Sequence, residues 1–102
     1  MTKTEKLLTA ITVVVGFETD EYSYRLLIAM REVLCTLNKN EFDTRGYLVE
    51  PEELQDSFLE LFKVWLTVTQ RDAPKSPTMD DALSMLTAAS VSASQVTTEH
   101  SQ

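Results

Sequence analysis

A chain of 102 residues is long enough for one small domain and too short for two. With 43% hydrophobic residues it can bury a core, which excludes a compositionally disordered chain, and two glycines with three prolines supply too few turns for an all-β fold. The net charge of −7, with nine scattered bases, excludes a basic groove for nucleic acid, because phosphate binding needs grouped Lys and Arg.

The first predicted element is a helix near 4–17. Thr2 and Glu5 are spaced as a capping box. At about 100° per residue, Glu5, Thr9, Thr12 and Gly16 share one narrow polar strip, and the rest of the segment is apolar. Ile11 to Val15 is a β-branched run, which favours the alternative of an α+β fold with 10–17 as a strand. Lys3 and Lys6 before an apolar run have the outline of a signal peptide. Glu5, Thr9 and Thr12 break that outline and no small-x-small cleavage site follows, so no secretory signal is expected.

A second helix is expected near 20–38, capped by Thr19 or Asp20, with Glu21 four residues before Arg25. Its main apolar stripe is Tyr22, Leu26, Met30, Val33 and Leu37, widened by Leu27 and Leu34. Tyr24, Ile28 and Cys35 form a smaller face opposite. A helix with two apolar faces is sandwiched between layers or shared with another chain. Residues 39–50 read as a long loop, with Tyr47 to Val49 as a short extended piece over the helices.

The third helix, near 51–70, starts with Pro51, Glu52 and Glu53, residue types that suit a first helical turn. Leu54, Phe58, Leu61, Trp65 and Val68 recur at spacings of four and three. Leu59, Phe62 and Leu66 flank that seam on one side and Val64 on the other, so the apolar arc covers roughly 220° where a surface helix needs about 100°. The excess is either core or an interface. As an interface it would comprise Tyr24, Ile28, Phe62, Trp65 and Leu66, since aromatic anchors are common at binding hot spots. The acids Glu50, Glu52, Glu53, Asp56 and Glu60, with no base among them, form a candidate patch facing a basic partner.

Arg71 to Pro77 is a linker, stopped by two prolines. Thr78 and Asp81 then open a fourth helix near 78–92 with Met79, Ala82, Leu83, Met85, Leu86 and Ala89 on its apolar face. The organisation expected is an all-α bundle of about four helices over 1–95, with a frayed, disordered tail over 96–102.

No catalytic set stands out. His100 is the single histidine and lies in the polar tail, which leaves no imidazole for a Ser-His-Asp or Cys-His site. Cys35 alone excludes an internal disulfide and a paired-cysteine zinc site. It fits a reducing, cytoplasmic setting as a buried small apolar group. Glu53, Asp56 and Glu60 lack the loop of a calcium site, and two glycines build no phosphate-binding loop. No cofactor, metal or membrane association is expected.

No family motif is visible. The size, acidity and lone cysteine are the usual make-up of small accessory proteins of bacteria and their phages. The function expected is a small acidic protein-binding module, an adaptor, inhibitor or assembly chaperone, acting through helical surfaces as a homodimer. The alternatives are an acidic mimic of nucleic acid and a structural subunit of a larger assembly.

Overall fold

In the computed structural model, residues 1–42 and 51–100 are described, the side chains of 40–42 and 96–100 excepted. Four helices appear in them: α1 (Lys3–Phe17), α2 (Glu21–Phe42), α3 (Pro51–Val68) and α4 (Met79–His100). No strand occurs among the described residues.

Each start has a local cause. Thr2 and Glu5 form a reciprocal capping box: the Glu5 N–H donates to Thr2 Oγ1 at 3.2 Å and the Thr2 N–H to Glu5 Oε1 at 3.3 Å. The Ser23 N–H donates to Asp20 Oδ2 at 2.9 Å, so Asp20 caps α2. Thr78 and Asp81 repeat the box at α4, at 3.2 and 3.0 Å.

The strand alternative for 10–17 is overturned, because Ile11 to Val15 lies inside α1. Poor helix propensity costs about 0.5 kcal/mol per β-branched residue, whereas burying each such side chain is worth about 1.5–3 kcal/mol. Ile11, Val14 and Val15 are buried, a set that only the helical period brings to one side. Glu5, Thr9, Thr12 and Gly16 do form the wetter strip.

The starts fall within one residue of those expected, and three C-terminal ends differ by more. α2 continues past Asn38 to Phe42, since no glycine or proline stops it there and Lys39 suits a last turn. α4 runs beyond 92 to His100, because its Ala, Ser and Val residues hold no breaker. α3 stops at Val68, two residues early. Most of the expected 39–50 loop, with its extended piece at Tyr47 to Val49, lies outside the described residues, as does the end of the tail.

Contacts set the directions of the helices. Glu18 to Asp20 turn α1 sharply into α2. Ser23, at the start of α2, hydrogen-bonds Trp65, near the end of α3, so these two are antiparallel. Lys3 pairs with Asp80 at 2.7 Å, and Val14 and Phe17 share a cleft with Ala89 and Ala93, so α1 and α4 run parallel. α1 and α2 lie side by side, with α4 against the outer side of α1 and α3 along α2. α3 and α4 touch only lightly.

Parallel α1 and α4 require the segment after α3 to return along the bundle. It does so beside α3, where Lys75, Ser76 and Pro77 line a shallow cleft with Asp56, Glu60 and Lys63. Ten linking residues reach up to about 35 Å, more than the roughly 22 Å length of α1.

One core joins all four helices. α1 gives Leu7, Ile11 and Val14; α2 gives Leu27, Met30 and Leu34; α4 gives Ala82, Leu86 and Ala89. α3 gives the bulk: Phe58, Phe62, Trp65 and Leu66. Phe58 and Phe62 are stacked 6.2 Å apart, and Phe62 and Trp65 6.1 Å apart.

Candidate functional site

The expected apolar interface divides in two. Phe62, Trp65 and Leu66 are interior residues, so the surplus arc of α3 is covered within the chain. The true seam of α3 is Leu54, Phe58, Phe62, Trp65 and Leu66, turned from the expected one toward Phe62, and Val64 and Val68 are left outside at 40% and 39% exposure. Ile28 is half-buried against the core. Of the five expected interface residues only Tyr24, at 43% exposure, offers an open aromatic surface.

On α2 the buried line is Ser23, Leu27, Met30, Leu34 and Leu37. Tyr22, expected to begin the stripe, is 57% exposed, because its place is taken by the serine next to it. Cys35, expected inside, is exposed.

The acids Glu52, Glu53, Asp56 and Glu60 are all exposed on α3, and Glu50 lies outside the described residues. The row is not purely acidic in space. The returning linker brings Lys75 to the cleft of Asp56 and Glu60, and Lys63 lines it as well. Among the described residues no group of three or more His, Cys, Asp or Glu side chains is placed to hold a metal ion.

The sequence did not disclose the end of the bundle where the α1–α2 turn meets the last turn of α3. Trp65 Nε1–H donates to Ser23 Oγ at 3.0 Å, and Ser23 Oγ–H donates to Glu18 Oε2 at 2.9 Å. The other oxygen of Glu18 accepts the Asp20 N–H at 3.0 Å. Both Trp65 and Ser23 are about 1% exposed, so this polar chain is sealed on its inner side. Sealing favours it, since a buried indole N–H without an acceptor costs about 1–3 kcal/mol.

Arg71 is fixed to the same tryptophan from the other direction. α3 ends in a Schellman motif: the Arg71 N–H donates to Leu66 O at 2.9 Å and the Gln70 N–H to Thr67 O at 3.1 Å. Gln70 takes the left-handed conformation, φ 58°, that this motif requires. The turn lays the Arg71 guanidinium over the Trp65 ring, 4.9 Å from its centroid.

Glu18 and Arg71 open on one cleft of about 400 Å³ between α1 and α4. Val14, Phe17, Ala89 and Ala93 form its apolar walls, and Ser92 lies at its edge. Phe17, Tyr22 and Tyr24, the exposed aromatics among the described residues, flank the α1–α2 turn with Glu18, Asp20 and Glu21, and of the three Phe17 lines the cleft. The signal available in the sequence was Ser23: a serine in register with Leu27, Met30 and Leu34 is a buried hydroxyl awaiting a partner.

No helix among the described residues is long and apolar enough to cross a membrane. No protein-family model matches the chain, and no curated protein or solved structure is significantly similar to it.

Proposed function

We propose that the chain is a small acidic protein-binding module, an adaptor, inhibitor or assembly chaperone, that acts by binding rather than by catalysis. The observation that carries this reading is the corner where Phe17, Tyr22 and Tyr24 stay 44%, 57% and 43% exposed although the core beneath is closed. Aromatic side chains lose little entropy on docking and bury much area, which makes exposed ones around a turn natural anchors for contact. The acids Glu18, Asp20 and Glu21 beside them favour a basic partner through long-range attraction.

A homodimer receives less support than the sequence suggested, because Phe62, Trp65 and Leu66 are occupied inside one chain. A nucleic-acid mimic is likewise less favoured, since Lys63 and Lys75 interrupt the acidic face of α3. A cytoplasmic setting accords with an exposed, unpaired Cys35.

The test compares tagged wild-type chain with a variant carrying Phe17→Ser, Tyr22→Ser and Tyr24→Ser. Both are used to capture partners from cells that express the chain, and each is checked by circular dichroism. A partner held by the wild type and lost by the folded variant is the expected result. Equal retention by both would remove the corner from the reading, and light scattering on the same samples reads the oligomeric state directly.

A further inference from the structure

Two helices end at this corner, and neither α1 nor α3 has a basic residue in its last turn. Each carries roughly half a unit of negative charge at that end, and the start of α2 at the same turn offsets about one of these halves. Glu18 adds a full carboxylate at the mouth of the cleft, held in place by Ser23 and the Asp20 amide. Against this stands one base, Arg71, whose face is turned to Trp65. The cleft therefore keeps a small negative balance, with Glu18 as its one carboxylate and an aliphatic and aromatic wall.

We infer that the cleft bounded by Glu18, Phe17, Val14 and Ala93 receives a lysine side chain from a basic segment of the partner protein. The inference rests on the protein-binding reading above and names the chemistry of its partner. A lysine suits both parts of the site. Its four-carbon stem packs along Val14, Phe17, Ala89 and Ala93, and its ammonium reaches the Glu18 carboxylate. Small Ala89 and Ala93, one turn apart on α4, leave the depth for the stem. Ser23 and Trp65 act as positioning residues, because they hold Glu18 before the ligand arrives. Arg71 opposes the incoming cation and limits the affinity of the site.

The probe is acetyl-trilysine amide, compared with the same peptide acetylated on each Nζ, which keeps the stem and removes the charge. Trp65 is the single tryptophan and lies beneath Arg71, so its fluorescence and indole N–H resonance report occupancy. Trilysine is expected to shift both signals, and the acetylated peptide to shift neither. Glu18→Gln should weaken binding about three- to fivefold and Arg71→Leu should strengthen it about two- to fivefold, the range of an exposed ion pair. Glu32→Gln, exposed further along α2, removes the same charge as Glu18→Gln and should change little. Ser92→Phe, at an exposed helical position, fills the cleft without loading the core and should abolish the shift.

Equal binding of the acetylated peptide, weaker binding by Arg71→Leu, or resonance changes confined to the Glu52–Glu60 face would overturn the inference. In the last case the loss of partner by the corner variant still decides the broader reading on its own. Trilysine seated in the cleft, with the partner retained by that variant, would overturn the assignment of that lysine to the partner and remove the corner from the broader reading.

Discussion

The described aromatic side chains fall into two sets of three, and the contrast between them explains most of the molecule. Phe58, Phe62 and Trp65 stand on α3 at spacings of four and three and are 1% exposed or less. Phe17, Tyr22 and Tyr24 surround the α1–α2 turn and are between 43% and 57% exposed. The inner set has helical periodicity to collect it on one face. The outer set straddles a turn, so its members cannot share a face, and Ser23 rather than Tyr22 takes the inward position. Burial here follows angular position on a helix, not side-chain type.

Breaking the inner set should cost most. Phe62→Ala is expected to lose about 3–5 kcal/mol in urea unfolding, a large part of the total stability of a domain this size. If the loss were under about 1 kcal/mol, Phe62 would not be the packed centre described. Next comes the link between the two sets. Ser23→Ala leaves the Trp65 indole N–H without its acceptor and should cost about 1–3 kcal/mol, with a shifted tryptophan emission. Unchanged emission would mean that the Trp65–Ser23–Glu18 chain does not hold in solution.

The turn that carries Arg71 offers a smaller change of opposite sign. Gln70→Gly should stabilise the chain by about 0.5–1 kcal/mol, since glycine adopts φ 58° without strain. A destabilised Gln70→Gly would show that α3 does not end in this motif. The outer set should matter least for folding: Tyr22→Ser and Tyr24→Ser should each stay within about 0.5 kcal/mol of the wild type. A midpoint change well beyond that would place these tyrosines in the core and undo the comparison.

The four helices were legible because their starts are written in short-range chemistry. The Thr2–Glu5 and Thr78–Asp81 boxes, Asp20 and Pro51 each act over one helical turn, and all four mark real starts. The stops were less legible. Asn38 lacks the left-handed geometry of a cap, and Gln70 adopts it without being a glycine. The rotation of each helix about its axis was harder still. On α2 and α3 nearly every second residue is apolar, so several stripes fit, and only the neighbouring helices select one. That is why Phe62, Trp65 and Leu66 fit an interface as well as a core when only the sequence is read. The cleft was hidden for a different reason. Glu18, Ser23, Trp65 and Arg71 are brought together by a turn, a capped end and a 42-residue separation between Ser23 and Trp65, none of which leaves a spacing rule in the sequence.

The parallel pairing of α1 with α4 has a consequence for the order in which the chain can assemble. α1 meets α2 across a three-residue turn, and α2 meets α3 as its antiparallel neighbour, so these contacts form between nearby segments. The outer side of α1 is different, because Lys3 must wait for Asp80. Contacts of that sequence separation carry a high loop-closure cost and form late. During synthesis α1 thus emerges before the other three helices and is the last of the four to be fully covered, and a chain truncated before α4 would leave open the side of α1 that α4 covers.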